Sequence, residues 1–345
     1  MKASYLAGLG RFAIRQLPDP TIVNDTDVLV KVKAVGVCGS DIHYFTAGRI
    51  GSQVVAFPFI LGHESAGTVQ KIGTRVTRVA VGQNVAIDPA ISCGQCDQCK
   101  AGRVNTCRTL RFMGAPGQME GCLREFVVIP EQCCYPVPDT MTCESAALAE
   151  PLAIAVYAVD RSPLTANATV AILGVGPIGL SVLHVLRTRS AGSLFVTDRI
   201  EERLAHARKL NPLWTGNPRR ADIVRQVAAL EPSLLDIVFE CSGDPAAIVQ
   251  GIDLLKPGGT LVIVGISEID AVPFPVHELR RKEITVLNIR RQAHCTQKAI
   301  DLLAQRRISL DEMITHRFSL EDTQQAFELV AQYRDGVMKA MISMD

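Results

Sequence analysis

The sequence lacks the features that mark a membrane protein, a secreted domain or a nucleic-acid-binding protein. It contains no run of about 18 apolar residues that could span a bilayer, and residues 1–10 lack the layout of a signal peptide. The formal net charge is only +1, so no overall field favours nucleic acid or an acidic membrane surface. We therefore expect a soluble, cytoplasmic protein that binds neither a nucleic acid nor a membrane.

Repeats and low-complexity segments are also absent, which argues against a repeat architecture and against disorder. Hydrophobic residues make up 48% of the chain and charged residues 21%, as is ordinary for a globular protein. At 345 residues the chain is too long for one ordinary core, so it predicts two domains. Eleven cysteines in such a chain, without an export signal, favour metal binding over disulfides.

The sequence pattern changes near residue 151. Before it, short β-rich runs are separated by glycine and proline, as in residues 27–37, 65–73 and 122–129. After it, apolar strands alternate with helical segments, which predicts parallel βαβ units and hence an α/β class. From about residue 290, two helical segments and further β-rich runs form a tail that could close over the first domain.

A dinucleotide-binding motif follows the first apolar strand of this second region. Gly174, Gly176 and Gly179 have the G-x-G-x-x-G spacing, between a strand and a helix. The glycines permit a tight turn and close approach to a pyrophosphate, which the helix N-terminus favours. Asp198 ends the next strand, where a carboxylate accepts hydrogen bonds from the adenosine ribose and repels a 2′-phosphate. This predicts NAD rather than NADP, although the following Arg199 could serve a 2′-phosphate.

Four cysteines within 15 residues predict a structural metal site. Cys93, Cys96, Cys99 and Cys107 have the spacing C-x2-C-x2-C-x7-C. Four thiolates can surround one zinc ion tetrahedrally and leave no open position for a substrate. We expect this zinc to stabilise a surface lobe rather than to take part in chemistry.

Two further segments carry candidate ligands for a reactive metal. GVCGSDIHYF contains Cys38, and LGHESAGTV contains His63 and Glu64. The pattern G-H-E-x2-G-x5-G-x2-V is met in full from residue 62 to residue 76. Together with the four-cysteine lobe and the glycine motif, these segments resemble the zinc-containing medium-chain dehydrogenase/reductase family. Within that family the chain resembles the sorbitol (polyol) dehydrogenases.

The resemblance implies a catalytic zinc bound by Cys38, His63 and Glu64. In the alcohol dehydrogenases of the family, a cysteine stands at the position of Glu150. This chain has Glu150 followed by Pro151, which is the arrangement of the sorbitol dehydrogenase-like enzymes. The resemblance implies that Glu150 approaches the zinc directly or through its water, whereas its residue type alone would also suit a helix start. With the four-cysteine site, two zinc ions per chain are expected.

The resemblance also assigns a path for the substrate's proton. Ser40 resembles the family's hydroxyl relay beside the zinc, and His43 resembles its relay histidine towards solvent. Asp41 matches the carboxylate that orients the zinc-bound histidine. An Asx or Ser/Thr turn at a strand end is the simpler interpretation of Ser40 and Asp41, and the two roles can coexist.

Substrate preference follows from pocket positions. The resemblance places Tyr44, Phe112, Glu150 and Arg290 against the substrate, and it implies oxidation of a secondary alcohol of a polyol to a ketose. Where sorbitol dehydrogenases commonly have tyrosine after that arginine, this chain has Arg291. A phosphorylated hexitol or an acidic substrate, or threonine as in related dehydrogenases, therefore stays open.

Further cofactor contacts carry over by resemblance. Arg203 matches an arginine that contacts the ribose, and the turn at 264–266 is expected to face the nicotinamide carboxamide. The complete cofactor set adds to Gly174, Gly176, Gly179 and Asp198 the residues Pro177, Ile178, Arg199, Arg203, Val264, Gly265, Ile266 and Asn288. The proline-broken stretch 209–224 departs from the family, so we expect altered local structure there.

The expected fold is a Rossmann doubly wound parallel sheet plus a GroES-like β domain. The GroES-like catalytic domain comprises residues 1–150 plus 290–345, and the NAD-binding Rossmann domain comprises residues 151–289. The family resemblance implies an active site between the two domains and a homotetramer. A zinc-module nucleic-acid binder is disfavoured, since the four-cysteine lobe contains only Lys100 and Arg103 as internal basic residues. A catalytically silent relative is disfavoured by the intact ligand and glycine positions.

Overall fold

The computed structural model describes residues 1–344, and the chain divides into two compact units. The first unit is Met1–Glu150 together with the segment that begins at Ala293, and the second is Pro151–Gln292. The corresponding boundaries predicted from the sequence are 150/151 and 289/290. In residues 1–344, every helix is too short or too polar to cross a membrane.

The chain up to residue 161 is mainly β-structure. Its strands are β1 (Lys2–Gly8), β2 (Arg11–Gln16), β3 (Asp27–Gly36), β4 (Arg49–Ile50), β5 (Gln53–Val54), β6 (Glu64–Ile72), β7 (Asn84–Ile87), β8 (Ala90–Ile91), β9 (Arg111–Phe112), β10 (Phe126–Pro130) and β11 (Cys134–Pro136). Its helices are α1 (Gly39–Ala47), α2 (Asp97–Lys100), α3 (Cys143–Ala147) and α4 (Ala149–Arg161).

The remaining elements alternate as the sequence pattern predicts. They are β12 (Val170–Leu173), α5 (Pro177–Thr188), β13 (Leu194–Thr197), α6 (Glu201–Arg208), β14 (Trp214–Gly216), α7 (Ile223–Leu230), β15 (Leu235–Glu240), α8 (Pro245–Leu254), β16 (Leu255–Ile263), α9 (Val276–Lys282) and β17 (Thr285–Asn288). The chain then returns to the first unit with α10 (Thr296–Ala304), β18 (Ile314–Ser319), α11 (Thr323–Ala331) and β19 (Lys339–Ser343).

Strand β3 is the centre of the first unit. Its residues Val28, Val30 and Val32 are fully buried, and it pairs with β6, β10 and β19. The register places Gly36 opposite Glu64 on β6 and opposite Met341 on β19. The end of β3 therefore lies between the start of β6 and residues of the C-terminal strand. This is the edge of the sheet at which the candidate metal ligands collect.

The second unit contains a parallel sheet with the order β14-β13-β12-β15-β16-β17. Its central strand β12 is buried at all four positions, as expected for a strand covered by helices on both faces. All these strands end at the same edge, so the turns after β12, β13, β15 and β16 converge there. The fold is thus the predicted α/β Rossmann sheet with a GroES-like domain.

Altered local structure was expected at residues 209–224, and the sheet edge there is still formed by a regular strand. Strand β14 forms there and pairs in parallel with β13, from Phe195↔Trp214 to Thr197↔Gly216. The ring of Trp214 lies over Gly216, where a Cβ atom would collide with it. Because Gly216 has no side chain, the Trp214 ring can pack over it, and the edge strand forms after Pro212.

Candidate functional site

Three side chains from the edge around β3 form a candidate metal centre. The ligand atoms of Cys38, His63 and Glu64 all lie within 4.8 Å of one another. Zinc binds sulfur, nitrogen and oxygen ligands at about 2.0–2.3 Å, so one ion could contact all three. Cys38 stands between β3 and α1, whereas His63 and Glu64 stand at the start of β6. The sheet register therefore brings together residues that are 25 positions apart or more in sequence.

Asp41 holds the other side of this group in place. Its Oδ1 lies 3.4 Å from His63 Nδ1, and its Oδ2 accepts a hydrogen bond from the Cys38 N–H at 3.3 Å. Burial alone would lower the pKa of His63, but the Asp41 carboxylate and the Cys38 thiol raise it well above the ordinary value. Asp41 is itself buried. A carboxylate at this distance from the imidazole can orient the His63 ring.

Lys339 is the site residue that sequence reasoning missed. Its ammonium group donates to both carboxylate oxygens of Glu64, at 2.8 and 2.7 Å, and to the Val37 carbonyl at 3.1 Å. Lys339 and Glu64 are each only 1% exposed. The three N–H groups of the Lys339 ammonium are thus matched by three buried oxygen acceptors, two of Glu64 and one of Val37. The available signal was one lysine before three apolar residues in strand β19, KAMIS, and a lysine at such a position can equally be solvent-exposed.

Glu150 lies at the start of α4, beside but outside this donor group. The mutually close donors found among residues 1–344 do not include its carboxylate. Burial raises the pKa of Glu150 to about 7, and the nearby Glu64 and Asp88 add to this, while His63 and Lys339 oppose it. A carboxyl group with such a pKa can hold or release a proton near neutral pH.

The predicted proton relay starts next to the Cys38 thiol. The Ser40 hydroxyl donates to Cys38 Sγ at 3.3 Å. His43 lies half-buried one turn further along the same helix α1. The two residues therefore share helix α1, which begins directly after Cys38.

The two predicted pocket aromatics differ in their relation to the metal centre. The Phe112 ring lies 5.3 Å from the His63 ring, centroid to centroid, so it forms part of the wall around the ligands. Tyr44 is buried on α1, and its hydroxyl donates to Gln53 Oε1 at 3.2 Å. Arg290 is exposed and follows β17 in the second unit.

The four cysteines of the lobe lie together as a tetrahedral site requires. Their Sγ atoms are separated by 3.6 Å (Cys96–Cys99), 3.9 Å (Cys96–Cys107) and 4.0 Å (Cys93–Cys99). Zinc–sulfur bonds of about 2.3 Å correspond to tetrahedral edges of about 3.8 Å. Backbone N–H groups of Gln95 and Cys96 lower the pKa of the Cys93 thiol to about 6, which favours the thiolate that binds metal. The geometry fits a closed structural zinc site.

The glycine motif forms the turn expected for a dinucleotide. Gly174 has φ +86°, and a Cβ on Gly179 would collide with the Gly174 carbonyl oxygen. Gly176 is the N-cap of α5, which begins at Pro177 and Ile178, so the helix N-terminus faces this turn. A Cβ on Gly176 would lie 3.2 Å from Arg203 Nη1, which places that guanidinium beside the turn.

The other predicted cofactor residues lie at the same edge of the sheet. Asp198 follows β13, and its two oxygens accept hydrogen bonds from the N–H groups of Val175 (2.8 Å) and Ile200 (2.9 Å). After β16, the N–H groups of Val264 and Gly265 both donate to the Glu240 carbonyl, and Ile266 is half-exposed. Asn288 ends β17.

Three features occur together in this chain. They are a parallel sheet with a dinucleotide turn, a closed four-thiolate site and a separate thiol–imidazole–carboxylate group. This combination defines the class of zinc-dependent nicotinamide dehydrogenases. Residues 24–139 match the alcohol dehydrogenase GroES-like domain, and residues 177–305 match the zinc-binding dehydrogenase domain. The chain belongs to the zinc-containing medium-chain dehydrogenase family, and it is a zinc-dependent alcohol dehydrogenase family enzyme. The predicted family, fold and enzyme class are confirmed.

Individual relatives match over almost the whole chain. Sorbitol dehydrogenase of Bacillus subtilis (strain 168) is 36% identical over 343 residues, which cover 99% of this chain and 97% of the relative. A zinc-binding dehydrogenase structure from Sinorhizobium meliloti 1021, bound to NADP, is 33% identical, with a TM-score of 0.91 and coverage of 99% and 98%. A structure named as a short chain alcohol dehydrogenase of Escherichia coli CFT073, complexed with NADH, is 27% identical, with a TM-score of 0.91 and coverage of 99% of each chain.

Proposed function

We propose that this enzyme catalyses the reversible, NAD-dependent oxidation of a secondary alcohol of a polyol, of the sorbitol, iditol or xylitol type, to a ketose. The observation that carries this proposal is the group of half-buried Cys38 and buried His63 and Glu64, with Glu150 beside it in place of a second cysteine. The similarity to sorbitol dehydrogenase over nearly the full chain supports the same substrate class.

A zinc ion bound by Cys38, His63 and Glu64 would lower the pKa of a substrate hydroxyl. The remaining steps belong to the chain's own residues. Asp41 fixes the orientation of His63, and Lys339 neutralises Glu64, so the ligand group keeps its geometry.

Ser40 and His43 would carry the hydroxyl proton away along α1, the serine as the first acceptor and the histidine as the group nearer to solvent. Glu150, buried beside the ligand group, is suited to form a hydrogen bond with a hydroxyl there. Tyr44, Phe112 and Arg290 would contact the substrate. Because Phe112 lies against His63, its replacement is expected to change substrate preference as well as rate.

In the second unit, the turn at Gly174, Gly176 and Gly179 would hold the pyrophosphate, with Arg203 beside it. Asp198 would accept a hydrogen bond from a ribose hydroxyl, because each of its oxygens uses only one acceptor position on backbone N–H groups. Val264, Gly265, Ile266 and Asn288 would line the nicotinamide half of the site.

One observation favours a second substrate class. Arg291 follows Arg290 directly, stands in the left-handed region with φ +51° and is half-buried. Two adjacent guanidinium groups suit a phosphorylated hexitol or a sugar acid better than a neutral polyol. Threonine oxidation is the third candidate, since related enzymes share the metal residues.

The test is a panel of free polyols, hexitol phosphates, sugar acids and threonine, scored by NADH absorbance at matched concentrations. Free polyols should give the highest kcat/KM. An Arg291→Tyr variant should weaken only anionic substrates if the second class is correct. Absence of turnover with every member of the panel, in protein that contains two zinc ions per chain, would contradict the proposal.

A homotetramer is part of the proposal as well. Sedimentation equilibrium measures it directly, and a monomeric species at the concentration of the activity assay would refute it.

A further inference from the structure

The cofactor edge of the second unit carries an ion pair that the proposed reaction does not use. Arg199 Nη1 lies 3.2 Å from Asp244 Oδ2. Arg199 follows β13 and Asp244 follows β15, and both strands are direct neighbours of β12. The turn of the glycine motif follows β12. The ion pair therefore joins the two chain segments that flank the pyrophosphate turn.

Both ends of this pair are held by the fold. Asp244 is the N-cap of α8, where its Oδ1 accepts from the Ala246 N–H at 2.9 Å, and its own N–H donates to Ser242 Oγ at 3.1 Å. On the other side, the Arg199 carbonyl accepts from Asn217 Nδ2 at 3.2 Å. The Asp244 carboxylate is therefore a fixed acceptor, because its second oxygen is the one that faces Arg199.

Asp198, immediately before Arg199, is fixed in a different way. Its carboxylate is buried and receives one backbone N–H at each oxygen. In dinucleotide-binding sheets an acid at this place binds the ribose 2′-hydroxyl, whereas an arginine nearby can accommodate a 2′-phosphate. This chain has both residues side by side. The charges of Asp198, Asp244 and Arg199 together therefore set the electrostatic environment that a 2′-phosphate would meet.

We propose that Asp244 is a specificity-determining residue that acts through Arg199: it occupies and neutralises the guanidinium that would otherwise bind the 2′-phosphate of NADP. The inference rests on the proposed use of NAD. With the ion pair intact, a 2′-phosphate meets the anion of Asp198 and an arginine whose charge is already balanced. Without the Asp244 charge, the same arginine becomes a phosphate ligand, and the barrier against NADP falls.

The decisive substitution is Asp244→Asn. Asparagine is as good an N-cap as aspartate, so α8 keeps its start while the carboxylate charge is lost. The amide also presents a donor group to the Arg199 guanidinium, which releases the arginine from that position. We expect the ratio of the NADPH to the NADH dissociation constant to fall by about tenfold, the effect of one unit charge at a partly exposed site.

Calorimetric titration of the zinc-containing protein with NADH and with NADPH gives both constants without turnover. Asp253→Asn, near the other end of the same helix, is the matched control for loss of one negative charge, and it should leave the ratio within twofold. The double variant Arg199→Gln/Asp244→Asn should return the ratio towards its wild-type value, because no guanidinium remains to be released. At high salt the difference between Asp244→Asn and wild type should shrink.

An unchanged ratio in Asp244→Asn would overturn the inference, as would a shift that persists in the double variant or appears equally in Asp253→Asn. These outcomes are distinct from a failure of the proposed NAD use. If the wild-type protein binds NADPH more tightly than NADH, the proposed cofactor preference is wrong. The change of the ratio between variants still tests the role of Asp244 in that case.

Discussion

Replacement of Lys339 by methionine is the perturbation that tests the buried charge balance of the metal centre most directly. Methionine matches most of the volume of the lysine side chain and removes its ammonium group. Glu64 then loses the donor at both oxygens, and the Val37 carbonyl loses its donor as well. Because both partners are almost fully buried, solvent cannot replace the lost hydrogen bonds.

The structure also sets the size of the effect. Removing one partner of a buried ion pair typically costs about 3–5 kcal/mol, because an uncompensated charge stays in the interior. The unit offers a matched contrast, since Arg317 on β18 holds Glu144 with three hydrogen bonds of 2.9–3.0 Å, but its side chain is 54% exposed. Breaking that solvent-exposed pair should cost at most about 1 kcal/mol. The distances alone would rank the two pairs as equals.

Segment-resolved hydrogen exchange is the assay, because the only tryptophan, Trp214, lies in the second unit and does not report on β6 or β19. A loss of about 3 kcal/mol should speed exchange in β6 and β19 by about 100-fold in Lys339→Met. Strands β12 and β15 should keep their protection.

Equal effects of Lys339→Met and Arg317→Met on exchange in the first unit would refute the reasoning from burial. The double variant Lys339→Met/Glu64→Gln gives a second check. Compared without metal at the candidate site, the double variant should lose less protection than Lys339→Met alone, because the neutral amide leaves no buried charge.

Three further outcomes are expected. Burial lowers the pKa of His184 to about 4, against 6.5 unfolded, so the unfolded chain binds a proton that the folded protein does not. The free energy of unfolding therefore has its full contribution from neutral His184 above about pH 6.5 and loses it as the pH falls towards 4. In His184→Leu, urea titrations should show a decrease in the free energy of unfolding over this pH range that is smaller by about 3 kcal/mol. Gly179→Ala should weaken NADH binding at least tenfold by calorimetry, because its Cβ collides with the Gly174 carbonyl; unchanged affinity would contradict the assigned turn. Cys38→Ser and Cys96→Ser should each reduce the zinc content from two ions per chain to one, but only Cys96→Ser should lower the thermal midpoint strongly; equal destabilisation would remove the distinction between the two sites.

The features that the sequence predicted best are local in the chain. The four cysteines lie within 15 residues, and the glycine motif occupies six residues between a strand and a helix. Spacing along the backbone fixes such geometry, because a turn or a short loop brings the groups together by itself. Cys38 and His63 were predicted as candidate ligands as well, since each lies in a short segment whose residue pattern resembles the family.

The two ion pairs with the largest consequences could not be predicted in this way. Lys339 and Glu64 are 275 positions apart, and Arg199 and Asp244 meet only because β13 and β15 both pair with β12. Sequence patterns alone predicted the family, the α/β class and the residue types for two candidate metal sites and one dinucleotide-binding turn. Which charges face each other was decided by strand order and register, since these alone set the distances between side chains far apart in the chain.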